Sequence, residues 1–132
     1  MAQSNVLGFS PIGFLSGAAI AKNVVVKLDS TAGQVIVTTA ITEVPLGVTR
    51  TSTSAAGQTI EIQQSGVAKV TASGVIALNA QVVASADGKV ETFTSIGATG
   101  ISCGVALTAA AAAGDVIEVQ LHIPAVFGPA NS

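Results

Sequence analysis

The chain has 132 residues, enough for one domain with its own buried core, but only 9% of them are charged against about 25% in an average soluble domain. Net charge is -2, and the five basic residues Lys22, Lys27, Arg50, Lys69 and Lys89 are scattered singly, which argues against the clustered basic face that direct nucleic-acid binding needs. A single cysteine, Cys103, excludes an internal disulfide.

Residues 1–16 read as an apolar arm with neither helical nor strand period. The arm carries Val6, Leu7, Phe9, Ile12, Phe14 and Leu15. It lacks the basic n-region of a signal peptide, since no Lys or Arg precedes Lys22. Pro11 and three glycines interrupt the apolar run, which is also too short to span a bilayer as a helix. A soluble protein with no membrane partner is expected. Phe127 sits in the other tail, residues 124–132, so three of the four phenylalanines lie at the chain ends. Tails are ordinarily polar and frayed. Apolar aromatic ones point to burial, on their own domain or on a neighbour.

The body is expected to be built twice. Residues 17–66 form a first β repeat, 67–73 a connecting strand and turn, and 74–123 a second repeat. At an offset of 57, the stretch Gly47–Gln63 matches Gly104–Gln120 at nine of seventeen positions: Gly47, Val48, Thr51, Ala55, Ala56, Gly57, Ile60, Glu61 and Gln63 each find their identical counterpart. The same offset aligns Gly17, Val25 and Val26 with Gly74, Val82 and Val83.

Within the first repeat, Val24–Leu28 is rich in β-branched residues and reads as a strand. Ser30–Gly33 is a turn and Gln34–Thr39 a returning strand. In the second repeat the corresponding turn is Ala86-Asp87-Gly88, a strong hairpin signal because glycine tolerates positive φ. Pro45 opens a strand at Leu46–Val48. Thr59–Gln63 alternates, Ile60 and Ile62 on one face, Glu61 and Gln63 on the other. Val67–Thr71 is a further strand. The Ala109–Ala113 run has helical propensity, but it is too short to offset helix nucleation. Its copy, Ser52-Thr53-Ser54-Ala55-Ala56, is loop-like, so a loop is expected. The whole is all-β: about ten short strands in a small barrel or sandwich made of two duplicated units, with extended terminal arms.

Chemistry is hard to find. His122 is the only histidine and cannot furnish a multi-histidine zinc site. Asp29, Glu43, Asp87, Glu91 and Asp115 are irregularly spaced and read as solvated carboxylates rather than an acid/base pair. Glu61 and Glu118 are copies of one exposed strand position. There is no GxSxG elbow, no GxxxxGK[ST] and no GxGxxG. Lys89 lies on a hairpin, as in lipoyl and biotinyl carriers, but lacks their flanking context. Cys103 takes the place of Leu46 in the repeat and reads as a small buried apolar side chain. No enzymatic activity, cofactor or metal is expected.

The second copy, GVIALNAQVVASADGKVETF followed after a spacer by GVALTAAAAAGDVIEVQL, resembles the small capsid cement (head decoration) proteins of tailed bacteriophages. The resemblance spans about residues 17–123 when both copies are counted. It implies a structural virion protein, made in the host cytoplasm and located on the capsid surface. Such a protein binds the outside of the shell of major capsid protein and holds neighbouring capsomers together, as a dimer or trimer at a symmetry axis. A surface this poor in charge, protecting weakly against association, agrees with being largely covered. The arms depart from the family pattern. Val6, Leu7, Phe9, Ile12, Phe14, Leu15 and Phe127 are the candidate capsid or oligomer contacts, and removal of residues 1–16 is expected to leave a folded β domain. The alternative reading is a β-rich module of a phage fibre or tail, or of a secreted adhesin. The absence of Trp and Tyr, the side chains that stack on sugars, argues against it.

Overall fold

A computed structural model describes residues 12–40, 43–93 and 102–122. Among them are ten strands: β1 (Ile12–Ser16), β2 (Val25–Leu28), β3 (Gln34–Val37), β4 (Gly47–Thr49), β5 (Thr59–Gln63), β6 (Val67–Thr71), β7 (Gln81–Ala84), β8 (Val90–Thr92), β9 (Ser102–Ala106) and β10 (Val116–Leu121). The first five close into a barrel in the order β1-β3-β2-β4-β5. Every pairing in it is antiparallel except β1 with β3. The second five form a sheet in the order β6-β10-β9-β7-β8. Its two ends meet at a parallel bridge, Ala72 with Val90, reinforced by the Ser73 N–H donating to the Val90 carbonyl at 2.8 Å. The two units therefore share one topology.

The duplication is visible in individual hydrogen bonds. Ile20 bridges Thr53 as Ile76 bridges Ala110. Asn23 and Asn79 both take positive φ, 65° and 70°, and donate to the carbonyls of Thr49 and Ala106. The hydroxyls of Thr51 and Thr108 accept from the N–H of Glu61 and Glu118 at 3.1 and 2.9 Å. The pairings also correct the repeat register. Val26 pairs with Gly47 and Val82 with Gly104, so equivalent residues up to the second strand are 56 apart. Val26 corresponds to Val82, not Val83, and Gly17 corresponds to Ser73, not Gly74. From Gly47 onward the offset of 57 holds.

A second correction concerns the arm. Ile12–Ser16 is a strand of the barrel, paired along β5 from Ile12↔Ile62 to Leu15↔Thr59 and touching β3 at Leu15↔Gln34. Cutting at residue 16 would remove a closing strand, so the expectation that a folded domain survives that truncation does not hold. The strand has no alternating apolar signature because its inward position 16 is a serine. Ser16 is fully buried and donates its hydroxyl to the Ala55 carbonyl at 3.0 Å.

Packing explains the apolar run Val24-Val25-Val26. Val24 and Val26 join Ile20, Val35, Ile60 and Ile62 inside the barrel, while Val25, with Val48, belongs to the core of the second unit. The chain is thus buried on both faces as it enters β2, and these three residues show no alternation, whereas Leu28 at the far end of the strand is exposed. The Ala109–Ala113 run is a loop, as expected. The N–H of Ala110 goes to the Ile76 carbonyl at 2.9 Å. Those of Ala111 and Ala112 go to the Asp115 carboxylate at 2.8 and 3.1 Å.

One ion pair fastens the chain after β3. Glu43 accepts from Lys27, from the Thr39 N–H at 2.6 Å and hydroxyl at 2.8 Å, and from the Ala40 N–H at 3.2 Å. The Lys27 contact first, then the Thr39 N–H, hold its carboxyl well below the usual range, at about 2. A carboxyl depressed by folding stabilises the fold above its unfolded value near 4.5, and that contribution is lost as pH falls toward 2. Glu43→Gln is therefore expected to cost about 1 kcal/mol at pH 7, a partly exposed charge-assisted cluster being worth no more. Urea titrations across pH should show the gap to wild type closing between pH 4.5 and 2.

Candidate docking surfaces

Of the expected contact residues, Val6, Leu7, Phe9 and Phe127 lie outside the described residues, as do both chain ends. Ile12 is placed by its backbone in β1. Phe14 is half-buried and packs against the barrel core, so its ring serves the fold. Leu15, one residue on, is 43% exposed.

Several further apolar side chains reach the surface of the second unit. Val75 and Leu78 are the most exposed large apolar residues described, at 73% and 65%, and Leu107 is exposed as well. Leu78 and Leu107 flank the hydrogen bond from Asn79 to Ala106, which brings them together. The duplication shows that the fold does not impose them. The equivalent positions in the first unit hold Ala19, Lys22 and Arg50. Sequence reasoning overlooked this group because each residue sits in a turn, where no periodicity marks it; comparing the two copies position by position exposes it.

Where the units meet there is a shallow groove of about 250 Å³, lined by Asn23, Val48, Thr49, Arg50, Gln63, Val67 and Lys69. Strands β4 and β5 supply one wall and β6 the other. The Thr71 N–H donates to the Asn23 carbonyl at 2.8 Å, tying the second unit to the first along this seam. Two of the five basic residues of the chain thus share one groove, although they are nineteen apart in sequence.

The remaining reactive side chains are accounted for by packing. His122 is exposed and its Nε2 lies 3.0 Å from the Ser102 hydroxyl. Among the described residues no carboxylate holds the ring as a triad would need. Cys103 is buried in the second core, and burial pushes its thiol up to about 12. Since the thiolate is the nucleophile, a disulfide reagent at pH 8 is expected to label Cys103 only after urea unfolding. Rapid labelling of the folded protein would show that this strand opens locally.

Comparison with known proteins agrees with this architecture. The phage cement protein family matches residues 12–121, from the first residue of β1 to the last of β10. No curated protein matches the chain. Among solved structures, the N base of head fiber gp8.5 of bacteriophage phi29 superposes with a TM-score of 0.69 over 89% of this chain and 97% of that one. Identity is 12%, so the likeness is one of fold. With both β units inside the matched range, the chain belongs to the phage cement protein family.

Proposed function

We propose that this phage virion structural protein sits on the outer surface of the capsid shell, binds the major capsid protein and ties neighbouring capsomers together. The family match across both units carries the reading. The exposed side chains Val75, Leu78 and Leu107 support it, because the first unit builds the same turns with Ala19, Lys22 and Arg50 and so does not need them for the fold. So does the repetition of identical sites on a shell, which makes many modest contacts tight in sum. Val6, Leu7, Phe9, Ile12, Leu15 and Phe127 remain proposed contacts, with the exposed part of Phe14, and a dimer or trimer at a symmetry axis remains the proposed assembly.

Electron microscopy of native particles tests this directly. Density for the double β unit is expected on the shell exterior, bridging capsomers, and particles lacking the protein should lose DNA at lower temperature. Density confined to the tail would overturn the reading. The fold shared with a head-fibre base supports a second reading, in which the double unit is a seat on the capsid for a projecting fibre. Density extending outward beyond the two units would favour it.

A further inference from the structure

We propose that the seam groove between the two units is a seat for a carboxylate, the side chain of an Asp or Glu presented by the protein surface on which this chain docks. The partner's identity rests on the capsid reading above; the chemistry of the groove does not.

The groove exists only because the chain is duplicated. Asn23, Thr49, Arg50 and Gln63 come from the first unit, while Val67 and Lys69 come from β6 of the second. Arg50 and Lys69 bring two cations to it. Among the described residues the one ion pair is Lys27 with Glu43, so neither groove cation is engaged by a carboxylate of a described residue. Glu118 lies across from Lys69 in the ladder, and the Arg50 N–H donates to the Glu61 backbone carbonyl, yet neither Glu side chain lines the groove. The uncharged groups are largely committed. Thr49 donates to the Ala21 carbonyl at 2.8 Å and accepts from the Val24 N–H at 3.2 Å. Gln63 donates to the carbonyls of Ser65 and Val67, both at 2.9 Å. The guanidinium and ammonium groups, with the Asn23 side-chain amide beside them, are the donors left for a ligand.

The second unit acts as an internal control. Where the first unit has Thr49 and Arg50, the second has Ala106 and Leu107, and the counterpart of Lys69 in β1 is Gly13. The strands form equally well without these cations, so the fold does not demand them. Arg50 presents a planar fork suited to a carboxylate, and Lys69 a point charge. Nucleic acid is the poorer match: two cations make too few phosphate contacts for useful affinity, and among the described residues no aromatic side chain lines the groove for a base to stack on. The groove is also smaller than the roughly 300–1,000 Å³ typical of small-molecule pockets, which fits one side chain rather than a metabolite.

The test uses the full chain in two arms. In the first, NMR follows titration with acetyl-Ala-Glu-Ala-amide, with the Gln peptide and with a thymidine oligonucleotide. The Glu peptide should give saturable shifts at Asn23, Arg50 and Lys69 that weaken with salt and vanish in Arg50→Glu/Lys69→Glu. Equal response to the Gln peptide, no response, or tighter binding of the oligonucleotide would overturn the proposal. In the second arm, particles lacking the protein are reconstituted with wild type or the double variant. Attachment of the variant should weaken by about tenfold or more, and equal attachment would overturn a role in docking. If wild type itself fails to attach, the capsid reading falls, while the peptide arm still decides the groove.

Discussion

Gly104→Ala is expected to destabilise the protein by about 3 kcal/mol, near the upper end of what overpacking costs. A Cβ at Gly104 would overlap the Gln120 carbonyl oxygen and a methyl of Val119. The carbonyl belongs to the strand that pairs with β9, where Gln120 faces Val105, so it cannot retreat without breaking the ladder. Gly47 is the same position in the first unit, and a Cβ there would lie 2.6 Å from the Gln63 carbonyl oxygen. Gly47→Ala should therefore behave alike. Gly74 is the control: a Cβ there meets nothing within 4 Å, and Gly74→Ala should change stability by under about 0.5 kcal/mol. Urea midpoints for the three variants decide it. A Gly104→Ala midpoint equal to that of Gly74→Ala would mean that the two strands are not held as closely as described.

Gly88→Ala is expected to cost about 2–4 kcal/mol, from two sources of different origin. Asp87 at φ 61°, ψ 22° and Gly88 at φ 70° make the hairpin between β7 and β8 a type I′ turn. A side chain at the second position is strained on backbone grounds alone, by about 1 kcal/mol. Gly88 is also where the second unit leans on the first. Its N–H donates to the Thr38 carbonyl at 3.0 Å, and a Cβ would lie 2.6 Å from the Val25 carbonyl oxygen. The buried Thr38 hydroxyl bonds the Ser85 carbonyl at 2.9 Å beside it. Gly33→Ala separates the two sources, since Gly33 has φ 81° but open space around its Cβ position, leaving only the backbone cost. The excess of Gly88→Ala over Gly33→Ala measures the joint between the units. Equal losses would show that the turn is strained but not docked.

Most of the architecture could be read from the chain. The offset of 57 located β4, β5, β9 and β10, and Asp87-Gly88 marked its hairpin. The alternation of Thr59–Gln63 gave the correct inward face, with Ile60 and Ile62 buried and Glu61 exposed. The first strand of the second unit, Val67–Thr71, was legible as a strand, but its counterpart β1 in the first unit was hidden. Residues 12–16 and their structural equivalents 68–72 share no identical residue. The offset there is 56 rather than 57, so a fixed-offset comparison passes over them. Strand β1 also finds its partner far along the chain, and no local signal encodes such a pairing. The seam groove was hidden for a related reason. Arg50 and Lys69 look like isolated surface charges until the fold sets β4 beside β6, which contact each other only at the joint between the units.

The way each unit closes, first strand against last, makes the order of synthesis matter. Leu15 must wait for Thr59, 44 residues later. At about 5–20 residues per second of translation that wait lasts on the order of seconds, whereas hairpins form within microseconds. When β10 emerges with the same Ile-Glu pair as β5, β1 has already been taken. A chain refolding from denaturant has no such schedule, and both closing strands compete for β1 at once. Few differences then separate them: Phe14 faces Ile60 and Gly13 faces Glu61 in the first unit, whereas the smaller Val70 faces Ile117 and Lys69 faces Glu118 in the second. On the ribosome, arrival time performs the sorting that two nearly identical strands cannot perform for themselves.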